Sequence, residues 1–200
     1  MEGRRFKIVF KLLVSSLLGL AASQALASPI TLDFDGIDPV EGTVSDQGYA
    51  GFQWDDRWAL GSTDMSTAYQ DVAGSGTQFL YNEGLVSELT VGRDTPFDFL
   101  GATFGAPANS SRAYWVNVAA FDADGEVGQT GYHLFFENSF RMDTLFQSVT
   151  KLVMTSHGGI FTLDDFTYRD IEVKVNEAGG LILLSIGLFG LWAARRRTQG

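Results

Sequence analysis

The chain has 200 residues, no cysteine, 23 glycines and a formal charge of −10, and 13% of it is aromatic. Without cysteine it can use no disulfide, no thiol chemistry and no cysteine-ligated metal, and its excess of acid repels nucleic acid, which needs a basic surface. The acidity is concentrated: residues 28–177 carry seven Lys and Arg against 23 Asp and Glu, a formal charge of −16.

The first 27 residues read as an export signal. Arg4, Arg5, Lys7 and Lys11 give a basic start, Leu12 to Ala22 carry no charge, and Ala25-Leu26-Ala27 supplies the small residues that signal peptidase reads. Cleavage is expected after Ala27, so the folded part begins at Ser28.

Residues 28–172 read as one domain. Short alternating or aromatic-rich segments are separated by Gly, Asp, Asn and Ser, with no sustained helical period. Strands are predicted at Ile30 to Phe34, Gly51 to Trp54, Gln78 to Tyr81, Leu89 to Val91, Phe97 to Phe104, Tyr114 to Phe121, Tyr132 to Glu137, Lys151 to Thr155 and Phe161 to Tyr168. Nine strands predict an all-β, two-sheet sandwich with jelly-roll-like connections. Asp122 to Glu126 has the Asp and Gly of a hairpin turn, and Gly74 to Thr77 reads as a loop without the lysine of a phosphate-binding loop. Asn109-Ser110-Ser111 fits a glycosylation pattern.

Two acidic motifs open and close the domain. Alternation puts Asp33 and Asp35 on one face of the first strand, while the apolar set of the last slips by one residue at Asp164-Asp165, which predicts a bulge. First and last strands often adjoin in sandwiches, so these four carboxylates are candidate ligands for a structural calcium ion. The stretch Tyr49 to Trp58 interleaves aromatics with Asp and Arg. Phe52 and Trp54 are expected in the core, and Tyr49 and Trp58 are candidates for stacking on a sugar. Catalysis finds little support. His133 and His157 lack recognisable partners, and the Gly-x-Ser-x-Gly and His-Glu-x-x-His motifs are absent.

The tail from residue 173 reads as a sorting signal. Ala178 to Ala194 is an uncharged run of 17 residues, about 25 Å as a helix, enough to span a thin bilayer. Arg195, Arg196 and Arg197 follow it, and the positive-inside bias leaves the domain outside.

From Val175 through Asn176, Glu177, Ala178 and Gly179 to Leu191 and the arginines, the tail resembles the PEP-CTERM sorting signal of Gram-negative bacteria. In this sequence Asn176 and Ala178 stand where that family has proline. The resemblance implies recognition by an exosortase-like enzyme and a membrane-anchored precursor that is released or displayed at the cell surface. Gly179-Gly180 also resembles the GlyGly-CTERM signal handled by a rhomboid-type protease. Small residues before an apolar tail also suit a lipid-anchor signal, which normally lacks the basic end.

The Leu-Asp-Phe-Asp opening, Tyr-Ala-Gly-Phe-x-Trp and the closing Phe-x-Leu-Asp-Asp-Phe-x-Tyr resemble domains found ahead of such tails, similar to carbohydrate-binding-module jelly rolls. Together the two resemblances imply an exported module at the cell surface or in the biofilm matrix, and non-catalytic carbohydrate binding, with exopolysaccharide as the ligand, is the first reading of its function. A purely structural matrix component is the second reading and a glycan-active hydrolase the third.

Overall fold

In a computed structural model of the chain, residues 27–38, 44, 48–134 and 138–171 are described. The export signal up to residue 26, Ala25 included, lies outside them. So do the sorting motif Asn176, Glu177, Ala178 and Gly179, the predicted membrane helix and Arg195 to Arg197. Among the described residues no helix is long and apolar enough to cross a membrane. Their strands belong to one compact unit that ends at Asp170.

Nine strands carry that unit: β1 (Ile30–Leu32), β2 (Gln53–Trp54), β3 (Trp58–Ser62), β4 (Gln78–Asn82), β5 (Glu88–Gly105), β6 (Trp115–Phe121), β7 (Glu126–His133), β8 (Ser139–His157) and β9 (Thr162–Asp170). The fold is all-β, as the alternation predicts, and every strand pairing is antiparallel. Two of the predicted strands, Leu89 to Val91 and Phe97 to Phe104, are one long strand, β5. The last apolar stretch of the Lys151 segment likewise extends back to Ser139 as β8. Residues 58–62 form a strand that alternation does not reveal, and β7 begins at Glu126, ahead of the predicted Tyr132.

In place of the two separate sheets expected, all nine strands form one continuous antiparallel sheet, and its long strands β5 and β8 run through two layers of it. Their outer halves, 88–92 and 151–157, pair with each other and with β2 and β6, with β7 beyond; this is the first layer. Their other halves, 97–105 and 139–149, join β9, which in turn pairs with β4 and β1; this is the second layer. Between Gly92 and Phe97 β5 has no partner on β8, and in the next register shift, between the pairs Phe97–Val149 and Phe99–Phe146, Ser148 takes φ 57°. A backbone turned this way exposes its N–H. Asp98 accepts it at 3.0 Å, while its second oxygen pairs with Arg169. Asp98 is 8% exposed, so this capped bend is part of the interior.

Aromatic side chains fill the space between the layers. Trp54 of the first layer meets Phe166 of the second with ring centroids 5.5 Å apart, and Phe52 packs edge-on against Phe97, Phe166 and Tyr168. The core expectation for Phe52 and Trp54 therefore holds. From the first layer Leu89, Val91, Val116, Val118, Ala120, Leu152 and Met154 point inward and are fully buried. At roughly 2 kcal/mol for each large apolar side chain, this interior offsets much of the ordering entropy without any cross-link.

Candidate functional site

Because successive strand residues face opposite ways, the inward set of the first layer fixes its outward set. On β6 burial alternates without a break, so Trp115, Asn117, Ala119 and Phe121 face away from the core. Their partners on β8, His157, Thr155, Val153 and Lys151, face the same way, as do His133 and Gly131 on β7 and Glu88, Thr90 and Gly92 on β5. The result is a solvated face of polar side chains with an aromatic ring near each end of β6.

Trp115 is the organising residue of this face. Its indole lies over Gly131 on the neighbouring strand, where an added Cβ would come within 2.4 Å of Cζ2. Glycine is thus what lets the ring lie against the sheet instead of standing up from it. The His133 ring meets its edge at a centroid distance of 4.4 Å and 75°. On the other side its cross-strand partner is His157. Asn117, one step along, donates to Gln129 at 3.4 Å. A half-buried ring flat on a sheet offers one π-face, and the amides and imidazoles beside it offer donors and acceptors.

At the far corner of the same face lies a polar cleft of about 430 Å³, lined among others by Gln53, Asp55, Thr90, Gly92, Asp94 and Lys151. Lys151 also sits over the Phe121 ring, 4.8 Å from its centroid. From Lys151 to His157 is six residues along β8, about 20 Å of strand. The hydrogen bond from Arg57 holds the Asp55 carboxyl below the usual carboxylate range, against the opposing effect of burial. Asp55 is therefore ionised at neutral pH.

The acidic motifs meet elsewhere, at the loop 73–78 beside the second layer. β1 pairs with β9, as first and last strands were expected to, and β9 bulges at the Asp pair, with Asp165 at φ 49°. Asp164 is fully buried: its Oδ2 accepts from the N–H groups of Gly74 and Ser75, its Oδ1 from that of Asp165. Asp165 accepts from the Ser75 and Thr103 hydroxyls, and one oxygen of Asp35 accepts from the N–H groups of both Thr77 and Gln78. Gly76, at φ +52°, leaves room for that last carboxylate, whose Oδ2 would lie 1.4 Å from an added Cβ.

Three of the four predicted calcium ligands are therefore gathered at one loop, but the groups they face are N–H and O–H donors of that loop, of Thr103 on β5 and of Asp165 on β9. Asp33 is exposed and stands apart from them. Among the described residues no group of three or more acids or histidines is placed to share an ion. Burial pushes the Asp164 carboxyl up to about 6, assisted by the neighbouring charge of Asp165 and opposed by its three N–H donors.

The sugar-stacking candidates of the Tyr49 to Trp58 stretch also change. Trp58 is completely buried, edge-on to Trp54 and Phe161, and its Nε1 donates to the Thr90 carbonyl. It is a core residue and can stack on no ligand. Tyr49 is half-buried against Phe34, and burial together with Asp33 raises its hydroxyl above the ordinary value. Trp115 is not among the candidates that the sequence singles out. Its signal was available in Val116, Val118 and Ala120, which claim the inner face and leave Trp115 the outer.

No family model and no curated protein matches the chain. Solved structures with a partial likeness include the C-terminal family 22 carbohydrate-binding module of Clostridium thermocellum Xyn10B. It is 7% identical, the match covers 76% of this chain and 99% of that one, and the TM-score is 0.45. TmCBM61, solved in complex with beta-1,4-galactotriose, is 8% identical over 65% of this chain and 96% of that one, at a TM-score of 0.39. The enzymatically active domain of Bacteriophage CBA120 tailspike protein 4 is 9% identical over 68% and 22%, at a TM-score of 0.36.

Proposed function

We propose that the protein is a non-catalytic carbohydrate-binding module whose glycan lies across the outer face of the β2-β5-β8-β6-β7 layer, with Trp115 as the stacking platform. The observation that carries this reading is the indole laid over Gly131 and flanked by Asn117, Gln129, His133 and His157. A pyranose presents C–H groups on its ring faces and hydroxyls at its rim; a flat aromatic with amides and imidazoles around it complements both. The 20 Å from this platform to the polar cleft leaves room for several sugar units of one chain.

Affinity electrophoresis through gels containing neutral or acidic polysaccharides tests it. Wild type is expected to be retarded by at least one, and Trp115→Ala to migrate freely with an unchanged melting temperature. Equal retardation of the two proteins would sink the assignment of this face.

The compartment is also proposed. The basic-apolar-small leader and the apolar tail with its three arginines support export, membrane anchoring and processing by an exosortase-like enzyme, with exopolysaccharide of the matrix as the natural ligand. Mass spectrometry of the mature protein is expected to find cleavage after Ala27 and loss of Arg195 to Arg197. A mature chain still ending in the arginines would contradict the release step.

A further inference from the structure

Two aromatic rings lie on glycines at the same end of β6. Trp115 lies over Gly131 on β7. Tyr114, the residue before it, lies over Gly158 in the turn that follows β8, where an added Cβ would come within 2.6 Å of its Cδ2 and 3.0 Å of its Cε2. The rings thus lean to opposite sides of the strand. Tyr114, at 46%, is the most exposed aromatic residue among the described ones. Along β8 the order Lys151, His157, Gly158 runs from the polar cleft, past the Trp115 platform, to the Tyr114 ring. Resting on the reading of this face as a glycan site, we propose that Tyr114 is a second stacking subsite beyond Trp115, and that the ligand is an uncharged polysaccharide whose chain leaves the sheet over this ring.

The backbone fixes where this ring stands. The Tyr114 N–H donates to the His157 carbonyl at 2.8 Å, and its carbonyl accepts from the Leu134 N–H at 2.8 Å, so the chain is still tied on both sides one residue beyond β6. A side chain held by the sheet is placed more precisely than one on a free loop, as a stacking contact requires. Tyrosine joins a π-face to a hydroxyl that donates and accepts, which matches the C–H faces and hydroxyl rim of a sugar. Such a residue costs little ordering entropy, because the glycine beneath leaves the ring no competing neighbour of its own on that side.

Charge decides the class of chain. Beside the rings stand Asn117, Gln129 and Thr155, which pair with hydroxyls and carry no charge. Glu88 on β5 is paired with Thr155 and so lies diagonally from His157, where a carboxylate accepts hydroxyl protons and repels an anion. Arg112, two residues before Tyr114, gives its Nη2 to the Leu134 carbonyl. With a formal charge of −16 over residues 28–177, the domain repels a polyanion along its whole length, whereas a neutral chain meets no such barrier. Repulsion of this kind excludes acidic polymers without any contact dedicated to that purpose.

Isothermal titration of the full chain in neutral detergent tests this, with the disaccharides and hexasaccharides of cellulose, xylan and mannan, and with polygalacturonate as the charged comparison. At least one hexasaccharide is expected to bind, and Tyr114→Ala to hold it about five-fold more weakly while holding its disaccharide as wild type does. Tyr114→Phe keeps the ring and is expected to bind as wild type. Tyr114→Leu keeps bulk over Gly158 without a π-face, and takes the place of the alanine variant if that one fails to fold. An unchanged hexasaccharide affinity in these ring-less variants, tighter binding of polygalacturonate than of every neutral sugar, or no binding of any neutral hexasaccharide overturns the inference. If Trp115→Ala still abolishes binding of some glycan in those cases, the reading of the face survives it. If Trp115→Ala binds every glycan as wild type does, both fall together.

Discussion

Two polar regions of the molecule, the loop clasp around Asp164 and the outer face around Trp115, spend similar side chains in opposite ways. In the clasp each carboxylate oxygen that bonds does so to an N–H or hydroxyl of the chain itself, and Asp164 is closed off from solvent. On the outer face most polar groups meet solvent, and the ring among them rests on a glycine. Polar groups satisfied internally hold a shape; those left open can hold a ligand. Acid-rich motifs drew attention in the sequence, yet the open region is built from Trp, His, Asn and Gln.

The contrast can be broken first with the two tryptophans. Trp58→Ala empties a fully buried site and is expected to cost about 3–5 kcal/mol, read as a lowered midpoint in urea unfolding. Trp115→Ala should leave that midpoint within about 1 kcal/mol while removing ligand retention. A reversal of these effects would exchange the roles of the two rings.

The clasp should also titrate. Asp164 ordinarily ionises near 3.8 and in the fold near 6, so between these values the folded protein holds a proton that the unfolded chain has lost. Stability from this group is present below pH 3.8, falls as pH rises through the window and is gone above about 6, a difference of about 3 kcal/mol. Asp164→Asn is expected to remove that slope from stability measured between pH 4 and 6.5; an unchanged slope would assign it to other groups.

Smaller effects separate platform from scaffold. Gly131→Val suits a strand, but its branches occupy the place of the indole. Binding is expected to fall about as far as in Trp115→Ala, with a shift in tryptophan fluorescence and little change in melting temperature. Asp55→Asn, which breaks a hydrogen-bonded pair with the exposed Arg57 at the cleft, should move the melting temperature too little to resolve.

The fold class, the pairing of the first and last strands and the bulge at Asp164-Asp165 were legible because alternation and its one-residue slip are local signals. The continuity of β5 was not. Residues 93–96 read as a break because Arg93, Asp94, Thr95 and Pro96 interrupt the pattern, whereas the chain merely bends there before rejoining β8 at Phe97. Strand β3 was hidden by Gly61, which is required because the Phe79 ring packs where a side chain would stand. Trp58 departs from its expected exposure for a related reason: it follows Asp55-Asp56-Arg57, whose charges lie at the turn leading into the strand that buries it. The outer face depended on which strands adjoin β6, and long-range register is not written in any single segment.

Strand β9 has a consequence for how the molecule comes into being. It lies inside the second layer, between β5 on one side and β1 and β4 on the other, yet it is made by residues 162–170. No amino-terminal fragment can complete that layer, so β1, β4 and β5 must wait as unpaired edges until the last strand arrives. Such late closure over long sequence separations makes folding slow and keeps the chain open for most of its synthesis.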